Sequence, residues 1–326
     1  MTLARWIVTC VAPAAVAWLL ISALMRSKLA SRLGDVPNER SLHEAVTPRI
    51  GGLGIMAGAM PLAMIRSTPE LLVILGAALF LCALSFADDL RSLPVEVRLA
   101  GHLVAALVAV LAVAHGTEPA RSGLVESMVA VLSIVWMTNL FNFIDGSDGF
   151  AGGMAAIGFA SLGIAALSAG QLPLMTAALA LASASTGFLA YNFPPARVFM
   201  GDAGSVPLGF LAGALSFAGW MNGAWPLFFP LMVFAPFIAD ASLTLARRIS
   251  RGEPFWKAHR THAYQRLVLA GWSRRQLALR GYALMLLSAA AGFGALGAGE
   301  EMRFGIILGL AAAYVLVFVA IELRVK

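Results

Sequence analysis

Apolar residues run along this chain in long stretches, and the polar residues fall between them in short clusters. A helix that crosses a bilayer needs roughly 17–25 apolar residues. That template predicts helices at about 6–25, 50–65, 70–87, 99–115, 123–141, 150–168, 173–191, 206–221, 226–246, 277–297 and 304–322. No separate polar domain interrupts them, and the longest polar segment is about 247–276. The expected fold is all-α. It is a single polytopic membrane domain over residues 1–326 with ten to eleven transmembrane helices. The loops at 26–49, 88–98, 142–149, 192–205 and 247–276 are expected on one face.

Composition supports the bilayer as solvent. Of 326 residues, 60% are hydrophobic and 12% are charged, more apolar than a soluble core of this size requires. A soluble two-domain enzyme fits poorly. Cys10 and Cys82 both lie inside apolar stretches and read as small buried hydrophobes. The stretch from Trp6 to Met25 is longer than a signal-peptide core of ~7–15 residues, and its positive charges follow it. It reads as an uncleaved first helix.

Charge then orients the chain. With the N-terminus outside and the C-terminus cytoplasmic, 19 of the 23 Lys and Arg residues fall on inner segments and four on outer ones. This is the skew of the positive-inside rule. The net charge of +6 therefore speaks for membrane orientation and an anionic substrate, and not for nucleic acid.

The same parity collects the polar clusters on the inner face. Asp88-Asp89 closes the third stretch, with Arg91 and Arg98 following; alone, such a pair also fits a solvated helix end. Asn139, Asn142, Asp145 and Asp148 recur every three residues, so Asn139 and Asn142 share a helix face. Asn142 can offer a carbonyl oxygen to a hard cation. Asp202, in Gly201-Asp202-Ala203-Gly204-Ser205, is a good metal ligand at a helix start. The free N–H groups there suit phosphate oxygens, although a plain helix cap fits too. Carboxylates and carboxamides gathered in this way suggest magnesium, and magnesium suggests phosphates.

The basic clusters are the complement. His259, Arg260 and His262 lie in the basic loop and suit a diphosphate; non-specific contact with lipid headgroups is the other reading. Trp256 or Tyr264 would be placed to stack on a base. Arg40, His43 and Arg49 add positive charge to the first inner loop, which Pro37 and Pro48 stiffen. Asp240 lies inside an apolar stretch, where an acid needs a cavity or a partner. A functional role and a structural ion pair both remain open for it.

Six strings occur in order: Asp35-x-Pro37-Asn38-x-Arg40-x-x-His43, Thr47-Pro48-Arg49-x-Gly51-Gly52, Asp88-Asp89, Asn139-x-x-Asn142-x-x-Asp145-Gly146-x-Asp148-Gly149, Gly201-Asp202-x-Gly204-Ser205 and His259-Arg260-x-His262. Together they resemble the polyprenyl-phosphate N-acetylhexosamine-1-phosphate transferases, which include phospho-MurNAc-pentapeptide translocase. The resemblance implies Asn142 and Asp202 as ligands of magnesium, or manganese in its place. It implies Asp88 and Asp89 as the catalytic acidic pair near the lipid phosphate. It places Arg40, His43, Arg49, Arg98, Asn139, Asp145, Asp148, His259, Arg260 and His262 around the substrates.

The reaction implied moves a sugar 1-phosphate from a UDP-N-acetylhexosamine to undecaprenyl phosphate at the cytoplasmic side of a bacterial inner membrane, releasing UMP. It would initiate O-antigen or another envelope polysaccharide. The partners implied are those two substrates and the bilayer, with a homodimer as the expected assembly. The last loop has no run of consecutive histidines, reading His259-Arg260-Thr261-His262-Ala263-Tyr264. In this it is similar to initiators that use UDP-GlcNAc or 6-deoxy relatives such as UDP-FucNAc or UDP-QuiNAc. A phosphate monoester with its second pKa near ~6 needs no base at neutral pH, so Asp88 reads as positioning. A covalent phospho-Asp route stays open. The competing class is a transporter or flippase, but those sites lie near the bilayer midplane and these acids cluster at one interface.

Overall fold

The apolar stretches fold as helices, the form in which a segment satisfies its own N–H and C=O groups where water is absent. The computed structural model describes residues 3–37, 45–116, 123–254 and 259–324. Helices α1 (Leu3–Cys10) and α2 (Ala12–Met25) form the first span, and α3 (Lys28–Arg32) follows. Strands β1 (Gly34–Asp35) and β2 (Thr47–Pro48) pair antiparallel, with Asp35 opposite Thr47. Then come α4 (Gly51–Ile65), α5 (Pro69–Arg91), α6 (Val95–Gly116), α7 (Leu124–Ile144), α8 (Phe150–Ser168), α9 (Leu172–Asn192) and α10 (Asp202–Met221). The chain closes with α11 (Phe228–Val233), α12 (Ala235–Ser250), α13 (Ala263–Leu269), α14 (Arg274–Gly297) and α15 (Glu300–Arg324).

Among the described residues, nine helices are long and apolar enough to cross a membrane, which makes this an all-α polytopic membrane protein. Two of the eleven expected helices take another form. The stretch at 50–65 becomes α4, which has 15 residues. At 1.5 Å per residue it spans about 22 Å, less than the ~30 Å hydrocarbon core. It packs against α2 and α9 and is largely buried, so it has no need to reach both interfaces. The stretch at 226–246 divides at Phe234 into α11 and α12. Pro236, in the first turn of α12, has no N–H to continue the ladder from α11.

Helix ends also lie further into the polar clusters than apolarity marks. Helix α5 runs to Arg91 and so carries Asp88 and Asp89; α6 starts at Val95 and includes Arg98; α7 includes Asn142; α10 begins at Asp202. A count of apolar residues stops at the first polar side chain, but backbone hydrogen bonding does not. These groups are therefore mounted on rigid helix ends and not on free loops.

Helices α8, α9 and α10 form the interior, whereas α15 buries only Tyr314 and Ile321. Small residues allow close approach in the interior, as expected where the bilayer offers no hydrophobic drive between helices. One close crossing joins α4 to α10: a Cβ on Gly52 would lie 2.3 Å from the Gly204 Cα. That contact seats the start of α4 against the start of α10. Gly204→Ala is expected to cost ~1–3 kcal/mol by overpacking and to lower the midpoint of thermal unfolding in detergent. An unchanged midpoint would mean that the two backbones separate freely.

Candidate active site

Four helix ends meet at one end of the bundle: the C-termini of α5 and α7 and the N-termini of α6 and α10. Helix α10 packs on both α5 and α7, which carries their polar ends together. The segment leading into α4 joins them from the side. The Gly51 and Gly52 N–H groups donate to the Phe199 and Met200 carbonyls at 2.9 and 2.8 Å, and the Phe199 N–H donates to Pro48. The string Thr47–Gly52 is thereby stitched to the string Phe199–Ser205. Gly201 takes φ +73°, a left-handed turn that directs the chain into α10.

The side chains at this junction form a connected polar network. The Asn142 amide donates to Asp202 Oδ1 at 2.9 Å and to Ser205 Oγ at 3.0 Å. Arg98 lies 3.0 Å from Asp88 and 4.0 Å from Asp202. Asp88 also accepts the Leu93 N–H at 2.6 Å, which fixes it against the turn between α5 and α6. Its neighbour Asp89 points elsewhere: it is 3.4 Å from the Arg49 guanidinium and accepts the Ala203 N–H at 3.4 Å. The adjacent carboxylates thus face different partners. Loss of hydration, then the charges of Asp202 and Asp89, pushes the Asp145 carboxyl well above the usual carboxylate range. Among the described residues, the cations paired with Asp88, Asp89 and Asp202 are Arg49 and Arg98, and Asp145 adds a fourth carboxyl beside them, so the junction favours an added cation.

Among the described residues, no three His, Cys, Asp or Glu side chains converge to hold a metal by themselves. A magnesium ion does not require three, because it commonly takes one or two protein oxygens and completes its shell with water and substrate phosphate. Adjacent oxygens on such an ion, at ~2.1 Å from it, lie about 3 Å apart. The 2.9 Å Asn142–Asp202 separation matches that spacing once the carboxamide is turned oxygen-inward. The donor set therefore fits.

The basic loop reaches the same junction over the end of α7. The Tyr264 hydroxyl donates to the Phe143 carbonyl at 3.2 Å, and the His262 ring lies 6.3 Å from that of Phe143. Gly146 has to be glycine here, since a Cβ would lie 2.3 Å from the Tyr264 hydroxyl. Asp240 anchors the loop. It is buried and accepts the Ala263 and Tyr264 N–H groups at 2.8 and 3.2 Å, with His262 Nδ1 at 3.5 Å. The acid inside the apolar stretch thus holds the first N–H groups of α13. His259 stacks near His262, with ring centroids 4.9 Å apart, and accepts from the Thr261 N–H. Loss of hydration, then His262 and Arg248, pushes the His259 imidazole down to about 4, so it is neutral at pH 7. It can therefore offer a hydrogen bond but not a charge. Arg260 is exposed.

The other expected residues are placed less directly. Asp148 is buried and accepts the Ala196 N–H at 2.9 Å, with Arg274 at 3.5 Å. Its carboxylate clasps the turn between α9 and α10. Asn139 donates to the Val135 carbonyl of its own helix. Arg40, His43 and Trp256 lie outside the described residues. Two residues join the site that sequence reasoning did not select. Ser205 receives the Asn142 amide. His102, buried one turn beyond Arg98 on α6, shares a hydrogen bond with Asn139. The signal for His102 was present, because an ionisable residue within an apolar span marks a polar interior.

Comparison with known proteins shows the family. Residues 71–219 match the family described as glycosyl transferase family 4. A probable undecaprenyl-phosphate N-acetylglucosaminyl 1-phosphate transferase of Bacillus subtilis is 31% identical over 80% of this chain and 77% of its own. A decaprenyl-phosphate N-acetylglucosaminephosphotransferase of Mycolicibacterium smegmatis is 30% identical over 90% of this chain and 83% of its own. A phospho-N-acetylmuramoyl-pentapeptide-transferase of Moorella thermoacetica is 36% identical over 51% of each chain. With most of its length aligned to such relatives, and with its acids assembled at one end of the helix bundle, this chain belongs to glycosyl transferase family 4, the family of the polyprenyl-phosphate N-acetylhexosamine-1-phosphate transferases.

Proposed function

We propose that this chain transfers an N-acetylhexosamine 1-phosphate from a UDP-sugar to undecaprenyl phosphate, at the cytoplasmic face of a bacterial inner membrane. The observation that carries the reading is the Asn142–Asp202–Arg98–Asp88 network where four helix ends meet at one end of the bundle. It is supported by relatives whose names specify undecaprenyl or decaprenyl phosphate and N-acetylglucosamine. The string His259-Arg260-Thr261-His262 resembles that of O-antigen initiators, and on that resemblance the donor is UDP-GlcNAc or a 6-deoxy relative.

In the reaction, an oxygen of the lipid phosphate attacks the sugar-bearing phosphorus of the nucleotide sugar. The bond from that phosphorus to the bridging oxygen breaks, and UMP leaves with the electron pair. Asp202 and Asn142 would hold Mg2+, or Mn2+ in its place, whose charge offsets that of the diphosphate. Arg98, held by Asp88, directs a guanidinium toward the incoming phosphate. Asp240 holds the His259–His262 loop where a diphosphate would meet Arg260 and the neutral His259. No proton has to be removed from an acceptor phosphate that is already mostly dianionic at neutral pH.

The acceptor's tail also has a place. An apolar groove of about 450 Å³ runs between α7, α10, α11 and α12, lined by Ile134, Met137 and Phe234 among others. Met137 is five residues, about 7.5 Å of helix, from Asn142. A prenyl chain in this groove would present its phosphate to the junction.

The test is UMP release by purified protein in detergent with a panel of UDP-N-acetylhexosamines, with and without undecaprenyl phosphate. Acceptor-dependent release with at least one sugar is expected. No release with any sugar, or release indifferent to the acceptor, refutes the proposal.

A further inference from the structure

A second cavity, of about 370 Å³, lies away from the groove and the carboxylate junction, between α15 and the helices α12, α13 and α14. Helix α15 is almost wholly exposed, so only this helix separates the cavity from the surrounding lipid. Arg303 ties the first turns of α15 to the Ala295 and Ala298 carbonyls, and two further polar contacts flank the cavity. The Tyr314 and Ser288 hydroxyls lie 2.8 Å apart at mid-depth, and Glu322 pairs with Arg266 and Arg247 at the inner end. Between these points the lining is apolar, with Leu284, Val317 and Ala320 contributing.

The mouth of the cavity is cationic. Arg280, in the second turn of α14, and Arg324, at the end of α15, both stack on Trp272, at 4.2 and 5.6 Å from its ring centroid. Helix α14 begins at the face where α15 ends, so both guanidiniums stand at the same interface. Among the described residues neither has a carboxylate partner. The nearby acids are engaged, Glu322 with Arg247 and Arg266 and Asp240 with backbone N–H groups. Two cations without acids, set on an aromatic ring above an apolar slot at a membrane interface, match an amphiphile with an anionic head.

We propose that the cavity between α14 and α15 binds an anionic glycerophospholipid, its phosphate on Arg280 and Arg324 and an acyl chain in the slot beneath Trp272. Asp240 and Tyr264 border the same cavity, so an acyl chain there would brace the base of the catalytic loop.

The experiment uses full-length delipidated protein in detergent and native mass spectrometry with dioleoyl phosphatidylglycerol or dioleoyl phosphatidylcholine. Wild type is expected to retain phosphatidylglycerol at least ~10-fold more tightly than phosphatidylcholine. The double variant R280A/R324A is expected to bind phosphatidylglycerol about 30-fold more weakly, as two interfacial cations are lost. Ala320→Trp fills the slot from α15, keeps both arginines, and is expected to weaken retention at least ~10-fold. Equal retention of the two lipids by wild type, or unchanged phosphatidylglycerol binding in both variants, overturns the proposal. So does displacement of phosphatidylglycerol by equimolar undecaprenyl phosphate in an arginine-dependent manner, which would make the cavity an acceptor site. None of these readouts requires transferase activity, so they stand apart from the reaction proposed above.

Discussion

Replacing Asp202 with asparagine is expected to lower UMP release at least ~100-fold and to raise the magnesium concentration needed for what remains. The substitution keeps size and shape. Asn is also a good residue at a helix start, so α10 should still begin where it does. What disappears is one carboxylate charge, 2.9 Å from the Asn142 amide and 4.0 Å from Arg98. The unfolding midpoint should therefore move little while turnover collapses. Asp88→Asn supplies the contrast. Asp88 is occupied by Arg98 and the Leu93 N–H, so its loss should slow turnover by releasing Arg98, with little change in the magnesium requirement. Steady-state rates titrated against magnesium separate the two. Wild-type turnover of Asp202→Asn at limiting magnesium would eliminate Asp202 as a ligand.

The second large effect is expected at Asp240. Asp240→Ala strands the buried Ala263 and Tyr264 N–H groups, each costing ~1–3 kcal/mol if left unpaired. Helix α13 is only seven residues long, so the damage should be local and the bundle should persist. The loop carrying His259, Arg260 and His262 would lose its fixed position. KM for the UDP-sugar is expected to rise ~10–100-fold, because one or two polar contacts to the diphosphate would be misplaced. Asp240→Asn retains an acceptor oxygen and should recover part of the loss. If the KM of Asp240→Ala equalled that of wild type, with the protein folded, the loop would take its position from elsewhere. Tyr264→Phe probes the same clamp from the other side, by removing the hydroxyl that donates to Phe143. It is expected to act in the same direction and more weakly.

The sequence by itself determined the solvent, the fold class and the chemical inventory. Long apolar runs can satisfy their backbone in hydrocarbon only as helices, so an all-α membrane bundle followed from pattern alone. The acids, amides and cations of the junction were legible too, because each stands out against an apolar background. Their alternation with the helices put Asp88, Asn142 and Asp202 at one end of the bundle, where the fold brings them together.

Tertiary structure decided how those groups are used. Apolar counting marks where polar side chains begin and not where helical hydrogen bonding stops, so it set Asp88 and Asp202 beside helix ends, whereas the structure builds them into α5 and α10 themselves. Pairing is a matter of which helices touch. That Asp89 faces Arg49 depends on β2 and α4 docking beside α10 through Gly52 and Gly204, whereas Asp88 meets Arg98 across the turn from α5 to α6. Asp240 shows the same limit. Its partners are backbone N–H groups more than twenty residues away, and a backbone amide leaves no mark in a sequence. Residue types and spacing fix which interactions are affordable in a bilayer, while long-range packing selects which of them form.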